Sequence, residues 1–348
     1  AWGTIATIGV VLMGLGGALG IPLALVAGMV VSGASFGDKM SPVSDTTNLA
    51  AMVADTDLYS HIKSMLYTTV PTYIISLIAF TLVGLYYSGQ TLSAQELLTL
   101  SQHLEIEFAI SPLTLLPLIV LLALSLKRTA AEVSMLASVV TAVVLAVATQ
   151  DRTFTEVLNS LYTGYVADTG LEQLDTLLSR GGITSMMSTM SLALIALSLG
   201  GILDRAGFVR VLLSGVLKRI KRSASLMATT IGTGVVANMS MGEGYLSIIF
   251  GGQIFKDSFE EDRLEKHMLS RCLEEGATLS TSLIPWTTSG AFITGVLGMS
   301  PLEFAPWAFF NYINPLLSIG LAYMGFGIFR QQGFETPRGT PLSSLKNE

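Results

Sequence analysis

The sequence is poor in the residues from which many enzyme and metal sites are built. It has one cysteine, Cys272, which excludes an intrachain disulfide and a multi-cysteine metal site. Its three histidines, His61, His103 and His267, are scattered and do not stand with cysteine or carboxylate residues at metal-ligand spacing. A glycine-rich phosphate loop that ends in Lys-Ser or Lys-Thr is also missing. We therefore predict that the protein is not an enzyme and uses no cofactor.

Charged residues are also scarce, at 13% of the chain against about 25% in an average soluble domain. Hydrophobic residues make up 51%, and the mean hydropathy is +0.62. Apolar runs of about 20 residues, the length that crosses a bilayer as a helix, recur along the chain. We predict an all-α protein, a polytopic transmembrane helical bundle. The clearest runs are 67–87, 112–126, 130–148, 183–203 and 303–329, and three interrupted ones are 1–36, 225–255 and 272–298.

The few charges are unevenly distributed among the loops. Basic residues dominate 127–128 and 204–222, whereas 88–111 and 149–182 are rich in acids. Cytoplasmic loops of membrane proteins carry the excess of Lys and Arg, so the two basic loops are predicted to face the cytoplasm. The same alternation places the C-terminus there. We therefore expect a multi-pass protein of the cell inner membrane.

Charges and hydroxyl groups gather in residues 38–48, directly after a stretch from Ala1 to Gly37 that carries no charge. An ionisable group within a long apolar run is costly in lipid and marks a functional site by default. Pro42 and the neighbouring Ser, Thr and Asn residues disfavour a continuous helix here. A broken helix that carries carboxylates and hydroxyls is typical of the ion site of a secondary transporter.

A weak internal repeat connects this segment with another interrupted apolar region. Residues 37–41 resemble 276–280, and residues 46–48 resemble 287–289. Discontinuous helices at corresponding places in two halves of a chain indicate a binding site near the middle of the membrane. The pattern favours such discontinuous helices, and whether the two halves form inverted repeats stays open.

A third polar group of residues spans 237–245. Its Glu243 is the only charge between Arg222 and Lys256. A carboxylate in such surroundings either stays protonated because of desolvation or stays ionised beside a cation. The alternative is a turn at the membrane interface, where Glu243 reaches water and the flanking glycines make the turn.

Several segments carry a family resemblance. The run from Gly33 to Ala50 reads Gly-Ala-Ser-Phe-Gly-Asp-Lys-Met-Ser-Pro-Val-Ser-Asp-Thr-Thr-Asn-Leu-Ala, and further matching segments are 181–187, 238–247, 283–291 and 301–315. Together they resemble the NhaC family of sodium/proton antiporters over nearly the whole chain. The resemblance implies exchange of external protons for internal sodium, and some relatives exchange malate for lactate.

The same resemblance implies the domain organisation. We expect one transmembrane transporter domain over 1–330, followed by a polar, disordered cytoplasmic tail over 331–348. Because family members extend further at the N-terminus, we also expect that the chain lacks early membrane segments of the family.

An antiporter needs a cation and a proton that compete for one carboxylate. We predict that Asp45 is this carboxylate, with Asp38 as second choice, and that a sodium ion binds to Asp45, Thr46 and Glu243. Side-chain oxygens can replace water around a dehydrated cation. The other predicted ion ligands are Ser41, Ser44, Thr47, Asn48, Asn238, Thr287, Thr288 and Ser289.

Other functions stay open at this point. A transporter of organic acids would present helix N-termini or basic donors to its anion. A channel would share the fold without coupled exchange, and a non-transporting fragment is a further alternative. The predicted partners are sodium ions, protons and the lipid bilayer, with no nucleic acid. Assembly into a homo-oligomer is not determined by the sequence.

Overall fold

A computed structural model describes residues 1–87, 102–127, 129, 131–150, 152–170, 175, 178–179, 181–207, 220 and 222–331. Every regular element in these ranges is a helix, apart from one isolated bridge between Leu264 and Arg330. The all-α prediction is therefore confirmed for the described part of the chain. Most of the basic loop 204–222 and all but one residue of the tail 331–348 lie outside the described residues.

The first helices surround the polar segment at 38–48. A helical turn at Trp2–Thr4 and a π-helix at Ile5–Gly9 lead into the first longer helix. The next helix ends at this segment, and the short helix after it starts with Ser44 as its N-cap. The four helices are α1 (Val10–Ala18), α2 (Leu23–Lys39), α3 (Asp45–Val53) and α4 (Leu58–Tyr87).

The middle of the chain contributes mainly apolar helices. A 3₁₀ turn at Pro112–Leu115 leads into the first of them, and the first two pack against each other as a hairpin. The third starts with a capping box in which Thr153 and Glu156 satisfy each other's backbone N–H groups. These helices are α5 (Leu116–Leu126), α6 (Ala131–Thr149), α7 (Phe154–Thr163) and α8 (Ile183–Arg205).

The last third forms the other side of the polar region. One helix changes to a π-helix at Glu274–Thr278, continues for one turn at Leu279–Thr281 and then stops. Two short turns, Pro301–Phe304 and Ala305–Trp307, precede the last helix. The helices are α9 (Ser223–Met241), α10 (Gly244–Glu261), α11 (Lys266–Leu273), α12 (Thr288–Leu297) and α13 (Phe309–Tyr323).

Two helices in the described ranges are long and apolar enough to cross a membrane, Leu58–Tyr87 and Ile183–Leu203. Only 22% and 7% of their most apolar windows are buried inside the protein, so most of their side chains face outward. The predicted runs 112–126, 130–148 and 303–329 correspond to shorter helices, and the last run is divided where α13 begins after Ala308. An outward-facing apolar surface of this extent is typical of contact with a membrane or a protein partner.

The buried centre of the protein is where α9 packs against the π-helix. Apolar side chains of α9, α10 and α11, such as Ile231, Phe255 and Leu273, form one core cluster. The two backbones touch because Gly234 and Gly276 have no side chain there. A Cβ at Gly234 would lie 2.6 Å from the amide nitrogen of Ala277. Small residues at a helix contact permit this close approach.

We expect Gly234→Ala to destabilise the protein by about 1–3 kcal/mol, because its methyl group must push the π-helix away. Gly232→Ala is the matched control on the same helix, since a Cβ at Gly232 meets no atom within 4 Å. Thermal unfolding of the purified protein in detergent measures both effects. Equal unfolding temperatures for the two variants would contradict the close contact.

Candidate functional site

Helix ends bring the three polar segments of the chain together. Asp38 lies at the end of α2, Asp45 is the first residue of α3, and the break between α9 and α10 carries Glu243. The break occurs because Gly242 adopts the left-handed conformation, with φ of +70°, and Glu243 then caps α10. The third segment is the π-helix, whose Glu274 faces the first turn of α3 through a contact with Thr46. Residues from distant parts of the sequence thus share one polar region.

Several of the predicted ligands satisfy the backbone of the turn before α3. Ser44 accepts a hydrogen bond from the amide of Thr47, and Asn48 donates to the carbonyls of Pro42 and Ser44 at 2.9 and 2.6 Å. Ser41 accepts from the amide of Val43. These bonds hold the end of α2 and the start of α3 in a fixed relation. Ion binding by Ser41, Ser44 and Asn48 stays a prediction.

A chain of hydrogen bonds connects Asp45 with α10 and α12. The exposed Asp45 carboxylate accepts a bond from the hydroxyl of Tyr245, whose amide donates to Glu243 Oε1 at 3.3 Å. The other oxygen of Glu243 accepts a bond from the hydroxyl of Thr288 at 2.6 Å. Asp45, Glu243 and Thr288 therefore belong to one network, in which Tyr245 was not anticipated.

A second network extends inward from the same turn. The hydroxyl of Thr46 lies 3.4 Å from Asp38 Oδ2 and 3.4 Å from Glu274 Oε1. A hydroxyl has one proton, so Thr46 can donate to only one of these two carboxylates at a time. Two carboxylates near one donor are a favourable place for a proton or a cation.

A buried ion pair lies behind this second network. Lys39 Nζ is 3.5 Å from Glu275 Oε1, and both side chains are completely buried. Lys39 also donates to Asn314 Oδ1 at 2.7 Å, and Glu275 accepts from the hydroxyl of Thr68 at 2.5 Å. Asn314 in turn donates to Thr72. The pair therefore joins α2, α4, α13 and the π-helix.

Sequence reasoning missed Glu274 and Glu275, although a signal was available. No Lys or Arg occurs between Arg271 and Arg330, and the only acids there are these two and Glu303. Adjacent carboxylates directly before an apolar run indicate a functional site, as Asp38 and Lys39 do. The weak repeat between 37–41 and 276–280 begins at Gly276, directly after them.

The remaining predicted ligands have mixed surroundings. Asn238 is buried and donates to the carbonyl of Ala277 at 2.6 Å and to the hydroxyl of Ser280 at 2.8 Å. Thr287 is the N-cap of α12, and Ser289 lies partly buried in its first turn. Thr47 is buried and donates to the carbonyls at the end of α2. Asn238 is thus the residue of this set that lies beside the π-helix.

Two further patterns can be judged from the geometry. Residues 33–37 have Gly-x-Ser-x-Gly spacing, but they lie inside α2 rather than at a strand-to-helix turn, and Ser35 accepts a bond from Asn311. Within the described ranges, no three His, Cys, Asp or Glu side chains are grouped so that they could hold a metal ion among themselves. A cation here would need hydroxyl, amide or carbonyl oxygens as well.

Comparison with known proteins gives a consistent result. Residues 33–326 match the sequence profile described as the Na+/H+ antiporter family. The Na+/H+ antiporter NhaC of Alkalihalophilus pseudofirmus is 38% identical over 341 residues, which cover 97% of this chain and 72% of that protein.

Two proteins of Bacillus subtilis are also similar. Its Na+/H+ antiporter NhaC is 35% identical over 322 residues, 92% of this chain and 71% of that protein. Its malate-2H+/Na+-lactate antiporter is 33% identical over 326 residues, 93% of this chain and 69% of that protein. No solved structure matches the chain.

We expect that Lys39→Met and Glu275→Gln each destabilise the protein by about 3–5 kcal/mol, because each change leaves the other group buried without its partner. The unfolding free energy of the double variant should fall by less than the sum of the two single losses. A double-mutant cycle of unfolding free energies measures this difference. The exposed pair Lys256–Asp55 is the control. Lys256→Met and Asp55→Asn should change the unfolding free energy little. Additive losses for the buried pair would show that the two groups do not interact.

Proposed function

Because the chain belongs to the Na+/H+ antiporter family, we propose that it exchanges sodium ions for protons across the cytoplasmic membrane. The exchange uses intramembrane carboxylates that bind either ion. Membership of this family makes the protein a membrane-embedded transporter rather than an enzyme. Sodium and protons are the transported ions in this proposal, and it assigns no role to a resident cofactor.

One observation carries this proposal beyond the family. Hydroxyl groups link carboxylates from three distant parts of the chain: Thr46 stands between Asp38 and Glu274, and Tyr245 joins Asp45 to the turn of Glu243. A hydroxyl can donate its proton to a carboxylate or turn a lone pair toward a cation. The same groups can therefore accommodate a protonated carboxyl in one state and a sodium ion in another.

The coupling follows from competition at one carboxylate. Asp45 is the proposed exchanging group, because it is exposed and reachable and its neighbour Thr46 contacts the inner carboxylates. Sodium binds only the ionised form, and a proton removes that form. If only the loaded carrier changes its orientation, each sodium ion that leaves on one side is replaced by protons from the other. Tight coupling requires no further device.

The helix ends at 40–44 and 242–243 are proposed to lie near the middle of the bilayer. Backbone groups that leave a helix at that depth are tolerated only where they are buried in protein or line a watery cavity. The turn before α3 meets this requirement, because Asn48 and Thr47 donate to its free carbonyls. Discontinuous helices of this kind are the usual place of ion sites in secondary transporters.

An organic acid antiporter is the second candidate, and one observation favours it. Arg271 is buried, with 1% of its surface exposed, and its Nη1 donates a 3.4 Å hydrogen bond to the carbonyl of Ser64. Within the described part of the chain, its Nε has no acceptor and no carboxylate forms a salt bridge with it. A guanidinium in this condition can bind a carboxylate with two hydrogen bonds.

We predict that Asp45→Asn reduces sodium-driven proton flux to background in liposomes that contain a pH dye. The amide still accepts the bond from Tyr245, but it carries no charge that sodium could neutralise. The control is Asp57→Asn, an exposed position at the start of α4 where asparagine caps the helix as well as aspartate does. Exchange at the wild-type rate in the Asp45 variant would remove Asp45 from the mechanism.

The same liposomes distinguish the two candidate functions. Alkali cations, malate and lactate are offered separately, with proton flux and substrate flux recorded together. Sodium/proton exchange requires no organic acid, whereas the second candidate gives no proton flux until malate or lactate is present. Sodium movement without any coupled proton movement would indicate a channel.

The apparent affinity for sodium should weaken as the pH falls through the pKa of the site. For one proton per site, the loss reaches about tenfold per pH unit, or about 1.4 kcal/mol, because protonation removes the binding form. Initial exchange rates at varied sodium concentration, between about pH 6 and about pH 9, measure this dependence. An affinity that stays constant across this interval would contradict a shared carboxylate.

A further inference from the structure

The π-helix at Glu274–Thr278 is the most unusual backbone segment beside the polar region. A π-helix is rare, occurs mostly as a single widened turn inside an α-helix and is frequent at functional sites. Here it begins with two completely buried carboxylates, Glu274 and Glu275. The two differ in whether a cation lies within salt-bridge distance.

The charge of Glu275 is already compensated by an ion pair. Its Oε1 faces the ammonium group of Lys39 and accepts the hydroxyl of Thr68. Glu274 has no cation within salt-bridge distance among the described residues. Its Oε1 lies 3.4 Å from the shared hydroxyl of Thr46, and the hydroxyl of Thr278 also interacts with this carboxylate. Its Oε2 accepts no well-aligned hydrogen bond from the described part of the chain.

Other buried oxygens at the same segment also lack a donor among the described residues, namely Glu275 Oε2 and the amide oxygen of Asn238. Asn238 is completely buried, and its amide nitrogen is fixed by two bonds to the π-helix and the turn after it, at Ala277 and Ser280. With the nitrogen so placed, the amide oxygen Oδ1 is left with no donor among the described residues. Thr281, one turn after the π-helix, also has a hydroxyl without a partner and lies against Gly244 at the start of α10.

Unpaired buried acceptors need an explanation, because nearly all buried polar atoms in proteins have a partner. A donor from water would satisfy one such oxygen, but a buried carboxylate also requires compensation for its charge. A dehydrated monovalent cation coordinates such oxygens and also compensates the charge. Carboxylate, amide and hydroxyl oxygens are the ligands that hard cations prefer.

We propose that Glu274 Oε2 and Asn238 Oδ1 are inner ligands of the transported sodium ion, with Thr281 completing the set. This inference rests on the proposed sodium/proton exchange and adds a site deeper in the protein than Asp45. Thr46 connects the two sites, because its amide donates to Asp45 Oδ1 at 2.9 Å and its hydroxyl lies 3.4 Å from Glu274 Oε1. Lys39 keeps Glu275 out of the ligand set and fixes the π-helix that carries Glu274.

Sodium binding can be measured without transport. In purified protein in detergent, added NaCl should raise the unfolding temperature of the wild type above the value in choline chloride of equal concentration, and a titration gives the apparent Kd. Glu274→Gln keeps the size of the side chain and the acceptor for Thr46 but removes the charge. We expect its Kd for sodium to be at least tenfold weaker. The control is Glu261→Gln, an exposed change at the end of α10 that should leave the Kd unchanged.

The outcomes separate this inference from the function on which it rests. If the wild type exchanges sodium for protons but Glu274→Gln binds sodium as well as the wild type, the inner site is wrong and the proposed function stands. If the wild type neither binds sodium nor exchanges it, both are wrong.

Should Glu274→Gln fail to give a monodisperse protein, Glu274→Asp provides the test. It keeps the charge but withdraws the carboxylate by one methylene group, and it should weaken sodium binding severalfold while folding normally. An unchanged Kd in a well-folded Glu274→Asp protein would overturn the inference.

Discussion

The arrangement of the polar region depends on the burial of one ion pair. Lys39 and Glu275 are both fully removed from solvent, and a charge in such a place is tolerated only with a partner and further hydrogen bonds. Asn314 and Thr68 supply those bonds from two other helices. These bonds form only when α2, α4, α13 and the π-helix pack together. The end of α2 is therefore held against the π-helix, which fixes where Asp38 and Glu274 lie.

A second constraint acts on the backbone. Helices that stop inside an apolar protein leave carbonyl and amide groups that must find partners. The protein meets this requirement locally with side chains: Ser44 and Thr287 cap helices, and Thr47 and Asn48 bind free carbonyls. Many hydroxyl groups of the region therefore bind the backbone. Fewer side-chain oxygens remain to bind an ion than the number of polar residues suggests.

These two constraints leave the polar groups of the region in two layers, one accessible and one buried. The outer layer, with Asp45, Tyr245 and Glu243, has accessible carboxylates bridged by hydroxyl and amide groups. The inner layer, with Glu274 and Asn238, has buried oxygens whose donors are incomplete. Thr46 belongs to both, since its amide donates to Asp45 and its hydroxyl contacts Asp38 and Glu274, only one of which can receive its proton at a time. In the proposed mechanism, an ion that passes between the layers changes which carboxylate needs that proton.

The sequence by itself determined the helical class, the family and the three places where polar residues interrupt apolar runs, because hydrophobicity, proline and hydroxyl residues act over a few neighbouring positions. It predicted that Asp38, Asp45, Glu243 and Asn238 belong to one ion site, which stays a prediction, and it did not indicate which of them face each other. The pairing of Lys39 with Glu275 and the role of Asn314, 275 residues away from Lys39, were decided only by the tertiary structure. Such contacts depend on how whole helices pack, for which glycines such as Gly234 set the distance, and no local pattern in the chain encodes that distance.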